Sequence, residues 1–180
     1  MASRIEDYGL IGDCETAALV GRDGSIDWLC WPAFDSDACF AALLGTSRNG
    51  RWLLAPAETI KRTSRRYRDD TLILETRFET NGGVVELIDF MPPRGHASDV
   101  VRLVRGISGR VKMHMELVIR FGFGVDVPWV KKNPDGGGLL AISGQDMTVL
   151  RTPVETRGKD LTTIADFEVG EGDTVPFVLT

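Results

Sequence analysis

Val111-Lys112-Met113-His114-Met115-Glu116-Leu117-Val118-Ile119-Arg120-Phe121 carries an apolar side chain at every odd position. Lys112, His114, Glu116 and Arg120 fall at even positions, and only Val118 breaks the pattern. Period two sustained over such a stretch predicts a β-strand with one face buried and one wet, because successive side chains point to opposite sides of the sheet. His114 then reads as a solvated strand residue. Immediately upstream, Val100 to Ile107 is a second β-branched run, and Ser108-Gly109 between the two predicts a tight turn closing a hairpin.

The same signals recur outward from this pair. Thr71 to Phe78 and Val84 to Phe90 flank Asn81-Gly82-Gly83, the strongest short hairpin signal, since these residues tolerate positive φ. Thr16 to Val20 and Ser25 to Leu29 flank Arg22-Asp23-Gly24. Further strands are predicted over Arg51–Ala55, Thr59–Tyr67, Leu139–Ile142, Met147–Arg151, Leu161–Phe167 and Thr174–Leu179. Short strands separated by Gly and Asn turns indicate an all-β, antiparallel β-sandwich. Ala38-Cys39-Phe40-Ala41-Ala42-Leu43-Leu44, stopped by Gly45, predicts one short helix near residues 38–44. Lys131 to Gly138 (KKNPDGGG) reads as a solvated rim loop. No linker or repeat interrupts the pattern, so residues 1–180 are expected to form one β-sandwich domain.

Composition narrows the function. The 180 residues carry 21 Lys+Arg against 26 Asp+Glu, a net charge of −5. That balance argues against nucleic-acid and anionic-membrane partners, both of which need a basic footprint. The basic run Lys61 to Arg68 is read as a strand edge guarded by charge rather than a nucleic-acid patch. No apolar run approaches a membrane span, and residues 1–7 lack the apolar stretch of a signal peptide, so a cytoplasmic location is expected. Cys14, Cys30 and Cys39 form no CxxC pair and read as reduced, buried small hydrophobes. His96 and His114 are isolated from them, so neither a metal nor another cofactor is expected.

The N-terminal fifty residues carry the one specific signal. Asp7-Tyr8-Gly9-Leu10-Ile11-Gly12 leads into Thr16-Ala17-Ala18-Leu19-Val20, then Asp23-Gly24-Ser25-Ile26-Asp27-Trp28-Leu29-Cys30-Trp31-Pro32 and Phe34-Asp35-Ser36. This long, mixed pattern resembles the opening of bacterial and archaeal glycoside hydrolase family 15 proteins of glucoamylase and trehalase type, whose first domain is the trehalase-like N-terminal domain. Arg66-Tyr67, Leu74 to Phe78, Asp89 to Pro92, Met113 to Phe121 and Pro128-Trp129-Val130 extend the resemblance over nearly the whole chain. It implies a β-supersandwich, followed in the family by an (α/α)6 catalytic barrel that holds the glutamate pair of an inverting α-glucosidase. That barrel is absent from these 180 residues. The expectation is therefore an N-terminal part of a longer glycosidase, inactive by itself. Its partners would be the C-terminal barrel of its parent chain and that parent's α-glucoside substrate. Once isolated, it is expected to self-associate through the surface meant for the barrel.

No catalytic residue is assigned. Asp35/Asp37 and Asp23/Asp27 have spacings at which two carboxyl groups share a strand face, yet Asp before a turn or helix is explained by local capping. The candidate substrate or interdomain contacts are Trp31, Phe34, Asp35, Trp28 and Trp129, because aromatic faces stack on sugar rings and carboxylates accept from hydroxyls. Trp28 alternates with Ile26 and is the most core-like of them; Trp31, beside Pro32, is the best contact. Ala33 and Glu15 stand where the family often has arginine. Two other readings fit the same residues: a free-standing carbohydrate-binding module, and a purely structural sandwich.

Overall fold

The computed structural model describes residues 4–133 and 137–180. Pro134, Asp135 and Gly136 of the expected rim loop lie outside the described residues, as do Met1 to Ser3. Fifteen strands run through the rest: β1 (Tyr8–Gly12), β2 (Ala17–Gly21), β3 (Ser25–Cys30), β4 (Ala38–Phe40), β5 (Arg51–Pro56), β6 (Arg62–Tyr67), β7 (Leu74–Glu79), β8 (Gly83–Phe90), β9 (Val100–Val118), β10 (Trp129–Lys132), β11 (Leu139–Ser143), β12 (Asp146–Arg151), β13 (Arg157–Lys159), β14 (Thr162–Gly170) and β15 (Thr174–Leu179). All pairings are antiparallel. The expected all-β class is what the chain adopts, and no helix among the described residues is long and apolar enough to cross a membrane.

The organising element is β9, and it corrects the sequence reading. Ser108-Gly109 is not a hairpin turn: β9 runs on through it for 19 residues. Its first half pairs with β8 and β15, its second half with β5 and β14. Both edges of both halves are taken, so the halves have no edge left to offer each other. The irregularity that looked like a turn is a bulge. Val84 faces Ser108 but Val85 faces Gly106, which leaves Ile107 without a partner, and Gly109 takes φ +67°. Gly106 is required there by close approach, since a Cβ on it would lie 1.9 Å from the carbonyl oxygen of Gly170.

β9 thereby belongs to two sheets. One has the order β1-β2-β3-β5-β9-β14-β13, with β4 beside β3; the other is β6-β7-β8-β9-β15-β12-β11-β10. Their inner faces share one apolar core, with Ile11, Ile26 and Trp52 from the first sheet meeting Phe78, Leu87 and Phe177 from the second. The basic run is the edge strand β6, paired only with β7 and exposed as expected; Arg66 and Arg68 both pair with buried Glu75.

Two further expectations need correction. Residues 38–40 are a fully buried strand, and only Ala42–Leu44 makes a turn of 3-10 helix. An apolar run this short has no period to separate buried strand from helix, and pairing of Phe40 with Leu29 and Ala38 with Cys30 decides for strand. Lys131 and Lys132 belong to β10 rather than to a loop. Of the cysteines, Cys30 and Cys39 are buried but Cys14 is exposed.

Candidate functional site

Asp13 ties together the segments that carry the N-terminal motif. Its Oδ1 accepts from the backbone N–H of Glu15 (3.0 Å) and Thr16 (2.8 Å), an Asx-type turn between β1 and β2. Its Oδ2 accepts from Arg94 Nε (3.0 Å) and Nη2 (2.9 Å) and from Ser98 Oγ (2.7 Å). Arg94 Nη2 also donates to the Pro32 carbonyl at 2.5 Å, and Nη1 lies 3.0 Å from Glu15 Oε2. Burial pushes the Asp13 carboxyl up, but the hydrogen bonds from Ser98, Thr16, Glu15 and Arg94 more than offset it, and its pKa lies below the ordinary value. The guanidinium at this loop thus comes from Arg94, not from position 15 or 33.

Loop 31–37 is set on this frame. Thr16 Oγ1 donates to the Cys30 carbonyl (2.5 Å), Phe34 N–H to the Glu15 carbonyl (3.0 Å), and Trp31 N–H to the Asp37 carbonyl (3.2 Å). The Trp31–Pro32 peptide bond is cis. Trp31 is half-buried and packs on the main core. Phe34, 62% exposed, is the large apolar side chain the loop presents to solvent, with Pro32, Asp35 and Asp37 exposed around it.

Trp28 differs from its expected place. β2 and β3 slip register between Leu19 and Val20, so that Trp28 faces Leu19 while Ile26 faces Val20. The extra residue, Asp27, reverses the alternation: Ile26 and Leu29 both enter the main core, and Trp28 leaves it. Trp28 packs instead on a small outer cluster with Cys30, Ala38 and Ala41, its ring 6.3 Å from that of Phe123.

Phe123 (47%), Val125 (78%), Val127 (48%) and Trp129 (76%) are each exposed, an apolar ridge in sequence that leads from a 3-10 turn into edge strand β10. Beside it opens a cleft of about 570 Å³ between β10–β12 and β13–β14, with Leu161, 73% exposed, among its lining residues. The sequence singled out Trp129 but not Phe123, Val125 and Val127, which precede β10.

The carboxylate pairs weighed from sequence are engaged or apart from any cleft. Asp23 Oδ1 accepts from Ser25 N–H (3.1 Å), and buried Asp27 accepts from Tyr8 Oη (2.7 Å) and Ser25 Oγ (2.5 Å). Asp35 and Asp37 are exposed in the loop. His114 Nδ1 lies 2.6 Å from Asp166 Oδ1 on the outer face of the sheet. No group of three or more His, Cys, Asp or Glu among the described residues is arranged to hold a metal ion.

The family model described as "Trehalase-like, N-terminal" matches residues 1–170. The chain is 32% identical over 139 residues to the trehalase of Thermoplasma volcanium, covering 74% of this chain and 22% of that one. It is 32% identical over 157 residues to the trehalase of Mycolicibacterium smegmatis (76% and 23%) and 30% identical over 152 residues to trehalase 1 of Sulfolobus acidocaldarius (84% and 26%). The matched part thus spans about a quarter of the length of these curated relatives.

Proposed function

The chain belongs to the trehalase-like N-terminal family, and on that footing we propose that it is the non-catalytic β-domain of a cytoplasmic family 15 α-glucosidase of trehalase or glucoamylase type. The parent's helical barrel, lying in the rest of its chain, would supply the catalytic acid and base. The β-domain packs on that barrel and shapes substrate entry. The observation that carries this reading is the share of length: relatives named trehalase are about four times longer than the region they have in common with this chain. The exposed residues Phe123, Val125, Val127 and Trp129 support it, because large apolar side chains exposed so close together along one segment are what a surface meant for a partner would show. Phe34, Asp35 and Trp129 are the contacts to barrel or sugar in this reading; Trp28 and Trp31 hold them in place.

Glycoside hydrolysis needs two carboxyl groups flanking one bond, one of them kept protonated by an apolar setting. Asp13, Asp27 and Asp89 are committed to structural hydrogen bonds, and Asp35 stands in open loop. The purified chain is expected to release no glucose from trehalose or maltose. Release by a clean preparation that disappears in Asp35→Asn overturns the non-catalytic assignment. Light scattering across a concentration series is expected to show self-association, reduced in Val125→Asp. A monodisperse monomer at every concentration would remove the ridge as a docking surface.

A further inference from the structure

The cleft beside the ridge has features that docking does not require. Leu117, Ile119, Leu139, Ala141 and Leu150 give it an aliphatic wall reaching in between the two sheets. Two polar groups in that wall lack what burial normally demands. Arg120, only 8% exposed, donates to the carbonyls of Ile119 (2.6 Å) and Leu161 (3.2 Å) but has no carboxylate within ion-pair distance among the described residues. Burial pulls its pKa below the ordinary arginine value, which is the response of a cation without a counter-charge. Thr148, 5% exposed, forms part of the same wall, and its Oγ1 is buried with no hydrogen-bond partner. Buried hydroxyls are nearly always hydrogen-bonded and buried charges nearly always paired, so an unpartnered hydroxyl and a guanidinium without a counter-charge in one cleft point to a ligand.

The rim sets the ligand's charge. Among the described residues, Lys131, Lys132, Arg157 and Lys159 face Asp160 alone of the acids lining the cleft, in a protein whose net charge is −5. Of these, Arg157 is already paired with Asp166. The volume lies within the ~300–1,000 Å³ typical of small-molecule sites. A sugar fits this setting poorly, because five aliphatic side chains leave its hydroxyls unpaired.

We propose that the cleft between β10–β12 and β13–β14 binds an amphipathic anion, an apolar chain ending in a carboxylate. The chain lies along Leu117, Ile119, Leu139, Ala141 and Leu150. The carboxylate meets Arg120 with the lysine rim behind it. Rotation about χ1 of Thr148 exchanges its methyl and hydroxyl and lets the hydroxyl reach the ligand.

Dodecanoate, held below its micellar concentration, is the probe, titrated calorimetrically into the 180-residue protein with dodecanol and trehalose as comparisons. One-to-one saturable binding of dodecanoate, at least about tenfold tighter than dodecanol, is expected, since a hydrogen-bonded charge contributes roughly 1.5–3 kcal/mol and 1.4 kcal/mol is tenfold. Arg120→Gln should remove that advantage. Where melting shows Arg120→Gln to be unfolded, the exposed double variant Lys131→Glu/Lys159→Glu decides instead, with at least a threefold loss expected. No saturable binding, equal affinity for dodecanol, or unchanged affinity in a folded Arg120→Gln or in Lys131→Glu/Lys159→Glu overturns the proposal. Trehalose binding in place of dodecanoate overturns it as well, in favour of a sugar site.

Discussion

Replacing Arg102 by methionine is expected to lower the unfolding free energy by about 3–5 kcal/mol, the cost of leaving a buried charge without its partner. Arg102 and Asp89 are directly opposite in the β8–β9 ladder and both are fully buried. Nε donates to Asp89 Oδ1 at 2.8 Å and Nη2 to Oδ2 at 3.3 Å. The same guanidinium crosses to the other sheet, donating to the carbonyls of Trp52 (2.6 Å) and Gly24 (2.7 Å), and lies 5.1 Å from the Trp52 ring centroid. Burial pushes the Asp89 carboxyl up while Arg102 opposes it, so loss of the guanidinium leaves burial uncompensated. Gly24 can take part because it is a turn glycine at φ +83°, where a Cβ would lie 2.4 Å from the Leu54 carbonyl oxygen. The double variant Arg102→Met/Asp89→Leu should recover most of the loss, since an apolar pair of similar volume is often as stable as a buried ion pair. Urea denaturation with Arg102→Met within about 1 kcal/mol of the parent would contradict this account.

That clamp was invisible in the sequence for a definite reason. Along Val100-Val101-Arg102-Leu103-Val104, the more apolar alternate face is Val101 and Leu103, yet Val100, Arg102 and Val104 point inward. Alternation alone therefore assigns the wrong face to the first half of β9, where β8 and β15 fix the register from far away in sequence. The second half, Val111 to Val118, reads correctly because its inward positions are uniformly apolar. Both hairpins with glycine turns, at 22–24 and 81–83, were legible because their turn chemistry is local. Ser108-Gly109 carried the same local signal and misled, since a glycine at positive φ serves a bulged strand as well as a turn. In loop 31–37 the turn residues around Phe34 and Asp35 were legible as a loop, whereas the bulge that takes Trp28 out of the main core is announced by no single-residue preference. Arg120 and Thr148 went unnoticed because an orphaned group is defined by what surrounds it in space.

The second large effect concerns Asp13, which sequence reading passed over although Asp three residues before a Thr is an Asx-turn signal. Asp13→Ala removes the acceptor for two backbone N–H groups, Ser98 Oγ and both donors of Arg94. A loss of about 3 kcal/mol is expected, the lower end for breaking a buried pair. Asp35→Ala, at an exposed position with no structural bond, should stay within ~0.5 kcal/mol. The charge is tested separately by Asp13→Asn, which keeps an acceptor and loses the ion pair. Because the folded pKa of Asp13 is depressed, its charge contributes stability above the unfolded value of about 4 and loses it as pH falls through the folded value. The gap between parent and Asp13→Asn in urea denaturation should therefore be full at pH 7 and shrink below about pH 4. A gap that stays constant to pH 3 would mean that shape rather than charge holds the motif together. In either case Asp13 holds the β1–β2 turn, Arg94 and Ser98 together beneath the loop that carries Phe34 and Asp35.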